Sequence, residues 1–214
     1  MKMSGMRSGY TLVLCGFLTG VAGCATSTYQ RADRAAASMA DTRQMLAEGR
    51  RQISVTVGAL DRLASLTDQD LSQQFRGFSD QVLGTERMAN RVGQQANSMR
   101  NRSESYFAAW EREMEGFNNP EIRQLSEDRR AETMAQYDKL TQSMDDVRES
   151  FVPFLEDLKD IQRHLSADLS KAGITSAEGL VLEAKRTAQA IQQKIGISLS
   201  ELDRVSALLS STQP

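Results

Sequence analysis

Few side chains in this chain of 214 residues can do covalent or acid–base chemistry: one histidine, His164, and two cysteines, Cys15 and Cys24. His164 follows Asp160 at helical spacing. An imidazole beside a carboxylate is the start of a general base, but it is also the ordinary make-up of a surface histidine. A hydrolytic or metal centre needs a clustered nucleophile, base and set of ligands. The sequence holds no Gly-rich phosphate loop, no HExxH pair and no GxSxG elbow. The adjacent acids Glu127-Asp128 and Asp145-Asp146 point in different directions on a helix and read as solvated positions. The expectation is a protein that is not an enzyme, with no catalytic residue, no metal and no dissociable cofactor. What remains is Cys24, a thiol placed behind Val21, Ala22 and Gly23, at the end of an apolar run.

That run makes sense of the thiol. Lys2 and Arg7 precede an uncharged stretch from Ser8 to Gly23, the layout of an export signal, basic first and apolar second. A transmembrane span needs roughly 20 predominantly apolar residues, and this stretch is shorter and interrupted by Gly, Ser and Thr. Val21-Ala22-Gly23-Cys24 resembles the lipobox of bacterial lipoproteins. The resemblance implies that residues 1–23 are a signal peptide removed at Cys24, and that Cys24 is then acylated on its sulfur and its new amino group. In Gram-negative sorting Asp after the acylated Cys retains a lipoprotein at the inner membrane. Ala25 stands there instead, which implies the periplasmic face of the outer membrane. Cutting at Cys24 removes Lys2, Arg7 and Cys15, so the net charge passes from −2 to about −4 and no second thiol is left for a disulfide. With both signs interspersed and no basic stripe, nothing points to nucleic acid.

The elements behind the anchor are helical. A composition of 40% hydrophobic and 25% charged residues suits a globular domain, and three prolines with 6% aromatics argue against an all-β chain. From Leu71 the inward positions step by threes and fours through Phe75, Phe78, Val82, Thr85, Ala89, Val92, Ala96, Met99, Ser103, Tyr106, Trp110 and, after Glu113, Phe117. The same period runs from Thr133 through Tyr137, Leu140, Met144, Val147, Phe151, Phe154, Leu158 and Ile161 to Leu165. The two stripes are predicted to face each other across the turn at Phe117–Pro120. There Asn119 caps the next helix and Pro120 takes its first position. Small residues on the first stripe admit either tight packing or a pocket. Because the phase holds across Pro153, a kinked and unbroken helix is predicted.

A helix from about Tyr29 to Leu66 precedes this hairpin, presenting Met39, Leu46, Ile53, Val57, Leu60 and Ala64, with a cap for the next helix at Thr67 or Asp68. Gly173 is read as the left-handed residue ending the third helix, and Thr175-Ser176-Ala177-Glu178 as a capping box for the fourth. The fourth carries Val181, Ala184, Ala188, Ile191, Ile195, Leu202, Val205 and Leu209. Acid–base pairs at Glu127/Arg130, Asp145/Arg148, Glu156/Lys159 and Asp160/Arg163 mark the outer face of the third. The predicted fold is all-α, an elongated antiparallel bundle of three to four long coiled-coil-like helices over residues 29–214, behind a short tether at 24–28.

Trp110 to Met114 followed by Phe117 and Asn118, the Tyr137–Leu140 step, Val152-Pro153 and His164-Leu165-Ser166 together resemble an uncharacterised family of bacterial lipoproteins known only as a domain of unknown function. The resemblance implies a helical, membrane-tethered protein and brings no activity with it. Two functional expectations follow. The first is a non-catalytic interaction or scaffold module in the envelope, meeting an envelope protein or a second copy of itself. The second is a bundle that handles lipids or amphiphiles by opening on membranes. Tyr106, Phe107, Trp110, Met114 and Phe117 crowd the end of the second helix and form the candidate contact surface, since Trp and Tyr suit a membrane interface.

Overall fold

A computed structural model describes residues 22–65 and 71–210, with side chains from Thr28 onward. The export-signal run as far as Val21 and the cap proposed at Thr67 or Asp68 lie outside the described residues. The chain forms α1 (Ala22–Ser65), α2 (Leu71–Met114), α3 (Pro120–Ala167), the short α4 (Lys171–Ser176) and α5 (Glu178–Ser210), with no strand among the described residues. Helix α1 begins at Ala22, so the segment expected as a tether continues the helix.

The heptad positions point inward. Leu71, Phe78, Val82, Thr85, Met99, Ser103 and Tyr106 of α2 are buried, as are Thr133, Tyr137, Leu140, Val147, Phe154, Leu158, Ile161 and Leu165 of α3. All eight residues predicted for α5 are buried too. One apolar core thus runs the length of an antiparallel bundle. At the α2–α3 turn Asn119 Oδ1 accepts from the amides of Glu121 at 2.9 Å and Ile122 at 3.3 Å, the cap expected there. Helix α3 continues unbroken past Pro153 for 48 residues. Pro153 and Glu149 both lie on the exposed face. The carbonyl deprived of its helical donor can therefore turn to water, and the helix tolerates the proline.

The pairing of helices differs from the expectation. The stripes of α2 and α3 both point into the core, yet α2 packs most extensively on α1 and α3 on α5, α1 also packs on α5, and α2 meets α3 over a smaller contact than any of these. The reason lies along the edge of the α2 stripe, at Gln81, Gly84 and Thr85. A Cβ at Gly84 would come within 2.9 Å of Gln52 Nε2, so only glycine lets the α1 side chain lie there undisturbed. Around that contact Thr56 Oγ1 and Thr85 Oγ1 share a buried hydrogen bond of 2.7 Å, and Gln52 Nε2 donates to Gln81 Oε1 at 3.0 Å. A polar pair buried in an apolar seam costs energy in any register that leaves it unmatched, so it fixes α2 on α1.

The junction after α3 also departs from the sequence reading. Gly173 lies inside α4 and has no left-handed backbone; it is glycine because a Cβ would meet the Asp168 carbonyl oxygen at 2.1 Å. Ser170 caps α4 by accepting from the Gly173 amide at 3.1 Å. No capping box forms at Thr175–Glu178, because α4 still occupies Thr175 and Ser176 and Ala177 joins it directly to α5. The Ser176 hydroxyl donates to the Gly173 carbonyl instead.

Candidate functional site

His164 is an exposed tie between helices. Its Nε2 lies 2.8 Å from Ser176 Oγ and 3.0 Å from the Gly173 carbonyl, fastening the end of α3 to α4. Asp160, its expected neighbour, pairs with Arg163 at 2.8 Å. No group of three or more His, Cys, Asp or Glu side chains suited to a metal occurs among the described residues. The one acid in the buried set, Glu201, is held between α3 and α5 by Gln136 and by Arg204 at 2.7 Å. Its position one residue before the seam residue Leu202 gave no sign of this partnership. The backbone at Ala22, Gly23 and Cys24 belongs to α1, and no described helix is long and apolar enough to cross a membrane.

The aromatic end of α2 turns inward. Tyr106, Phe107 and Met114 are buried and Trp110 and Phe117 half-buried, so these five do not form an exposed surface. Phe107 meets Tyr137 edge-on at 5.6 Å, and Trp110 Nε1 donates to Ser126 Oγ at 2.9 Å, closing the α2–α3 seam at this end. The exposed apolar side chains here are Ile122, 51% accessible, and Leu125, 70% accessible.

Beyond the aromatic end the seam opens into a groove of about 790 Å³, a size typical of small-molecule sites. The small residues Ala89, Gly93 and Ala96 of α2 do not draw the helices together here. They leave space opposite Met144, Phe151 and Leu155 of α3, which are consequently only half-buried. Two ion pairs span the groove near its ends. At one, Arg100 approaches Asp145 at 3.7 Å, and Arg148 reaches the same carboxylate oxygen at 3.5 Å. At the other, Lys159 pairs with Glu86 at 2.5 Å, with Glu156 on the same lining. Of the four acid–base pairs predicted along α3, those at Asp145/Arg148 and Asp160/Arg163 form. Lys159 crosses to Glu86 instead, and Arg130 crosses to Glu111 at 3.1 Å. One turn past the Arg100 end the hydroxyls of Ser103 and Tyr137 are buried with no hydrogen-bond partner of good geometry. Burial pushes the Tyr137 phenol above its ordinary range, and the neighbouring Ser103 hydroxyl and the Arg100 charge pull the other way.

Comparison with known proteins adds one finding. The chain belongs to the family described as "Protein of unknown function (DUF2959)", whose model matches residues 25–207. Neither a curated protein nor a solved structure matches it.

Proposed function

We propose, for a member of a family whose function is unknown, that this chain is a lipoprotein anchored through Cys24 at the periplasmic face of the outer membrane. Its bundle works there as a non-catalytic interaction module. The observation that supports binding is the groove between α2 and α3, where half-buried apolar side chains lie between two charged ends. A bundle built only to fill its own core would close that seam, since each cavity costs stability in proportion to its size. The anchor rests on the Val21–Cys24 sequence behind an export-like run. Three acyl chains on Cys24 exceed the two membrane signals that stable attachment requires.

Amphiphile handling is the second reading. It is favoured by Met88, Met99 and Met144 in the groove, since flexible thioethers adapt to ligands of varied shape. Photo-crosslinkers placed in living cells at the exposed groove residue Val152 and at the exposed Leu180 of α5 test the binding reading. A product formed from Val152 and absent from Leu180 is expected; identical or empty patterns from the two positions overturn it. Fatty-acid label that enters Cys24→Ala as well as the wild type overturns the anchor.

A further inference from the structure

We infer that the α2/α3 groove is the binding site of a single-chain anionic amphiphile, a fatty acid or a monoacyl lipid, with its head at the Arg100 end and its tail toward Glu86. This rests on the second reading above, amphiphile handling; it does not depend on the anchor.

Size selects the occupant. From Glu86 to Arg100 helix α2 rises about 21 Å at ~1.5 Å per residue. A volume of about 790 Å³ spread over that length gives a channel on the order of 7–10 Å across, ample for an acyl chain and tight for a helix, whose diameter with side chains is roughly 10–12 Å. A partner helix would therefore have to prise α2 from α3. An acyl chain spans about half of the ~30 Å hydrocarbon core of a bilayer, on the order of 15 Å, and it lies within the groove's length. The wall offers it Met88, Val92, Met99, Met144, Phe151 and Leu155.

Charge selects the orientation. At one end Arg100 and Arg148 share the carboxylate of Asp145, an excess of one positive charge in the groove lining, with Glu104 and Asp138 farther along, toward Tyr137. At the other, Glu86 and Glu156 stand against Lys159 alone, an excess of one negative charge. An anionic head is attracted to the first and repelled by the second. Arg148 is 75% exposed at its side chain and free to swing onto a bound carboxylate or phosphate without breaking a buried contact. Asn97 and Thr141, also in the lining, add neutral polar groups at the same end.

A photoreactive, clickable fatty acid fed to cells expressing the full chain tests this, with adducts located by peptide mass spectrometry. The expected result is light-dependent adducts on residues 88–99 and 144–155, with the mass of the fatty acid or of a monoacyl anionic lipid. Label on Cys24 forms without light and reports the anchor separately, so either reading can fail alone. Ala96→Phe fills the groove and is expected to abolish the groove adducts while leaving any Cys24 label. Arg148→Glu changes only an exposed side chain and is expected to lower them about tenfold, the scale of one charge-assisted contact. Adducts of diacyl lipid mass, adducts spread over the outer helix faces, an absence of groove adducts, or an Arg148→Glu variant that labels like the wild type would each overturn the proposal.

Discussion

At the scale of single residues, two positions carry their reasons openly. Gly173 is packed so closely on the Asp168 carbonyl that a methyl group has no place, and α4 is too short to move as a unit without disturbing the cap at Ser170. Gly173→Ala is expected to destabilise the fold by about 1–3 kcal/mol, the usual cost of overpacking, read as a lower midpoint in urea. Asp157 is the second. Burial first, and then the carboxylates of Glu183, Asp160 and Glu156, raise its pKa above the ordinary 3.8. A carboxyl that binds its proton more tightly when folded opposes folding once ionised, and that opposition ends as pH falls through the folded pKa and then the unfolded one. Asp157→Asn is therefore expected to raise the melting temperature at pH 7. The gain should shrink on acidification across the window just above 3.8 and be absent below it. A gain that persists unchanged at pH 3 would assign the effect to packing.

At the scale of helices, the threes-and-fours spacing identified which side chains point inward but carried no information about which helix they meet. Phe78, Phe154 and Leu158 are fully buried as the spacing requires. Any partner with an apolar stripe satisfies such a pattern. What favours α1 over α3 as the main partner of α2 is the Thr56–Thr85 pair with Gln52 and Gln81 around it, contacts between residues far apart in sequence and of no apolar signature. The groove was half-legible for the same reason: small residues at Ala89 and Ala96 of the stripe announce a thin stretch, Gly93 beside them gave no such sign, and only the docking of α2 on α1 makes it a gap. Phe107 and Met114 look surplus to a two-helix seam but are buried, Phe107 edge-on against Tyr137 of α3. The continuity of α3 through Pro153 sets an expectation of its own. Phe154→Ala should cost about 3–5 kcal/mol. Phe151→Ala, half-exposed on the groove wall, should cost less than half as much. Equal losses in thermal melts of the two variants would mean that the groove is closed in solution.

At the scale of the whole molecule, helix lengths decide which end faces the anchor. Helices α1 and α2 each span 44 residues, so the second returns to the level at which the first began. Arg31 Nη1 donates to Ser105 Oγ at 2.7 Å, and Arg43 pairs with Asp203 at 2.8 Å, fixing the levels of α2 and α5 against α1. Cys24 precedes Arg31 by about 10 Å of helix and the α2–α3 turn follows Ser105 by about 15 Å, at ~1.5 Å per residue. The turn therefore lies on the Cys24 side, while α4 lies at the far end, on the order of 60 Å away by the same rise. For a protein anchored through Cys24, this brings the exposed Ile122 and Leu125 within reach of the headgroup layer. Trp110 sits behind them, with its indole N–H already bonded to Ser126. The lipidated protein in vesicles carrying a headgroup-level quencher separates these positions. With Cys24 acylated, a fluorophore on Leu125→Cys reports the tip and one on Thr175→Cys the far end. Strong quenching at position 125, weak quenching of Trp110 and none at position 175 are expected. Equal signals from 125 and 175 would mean that the bundle does not stand on its α2–α3 turn. Strong quenching of Trp110 would mean that the aromatic end unpacks at the membrane, as a bundle that opens on lipid requires.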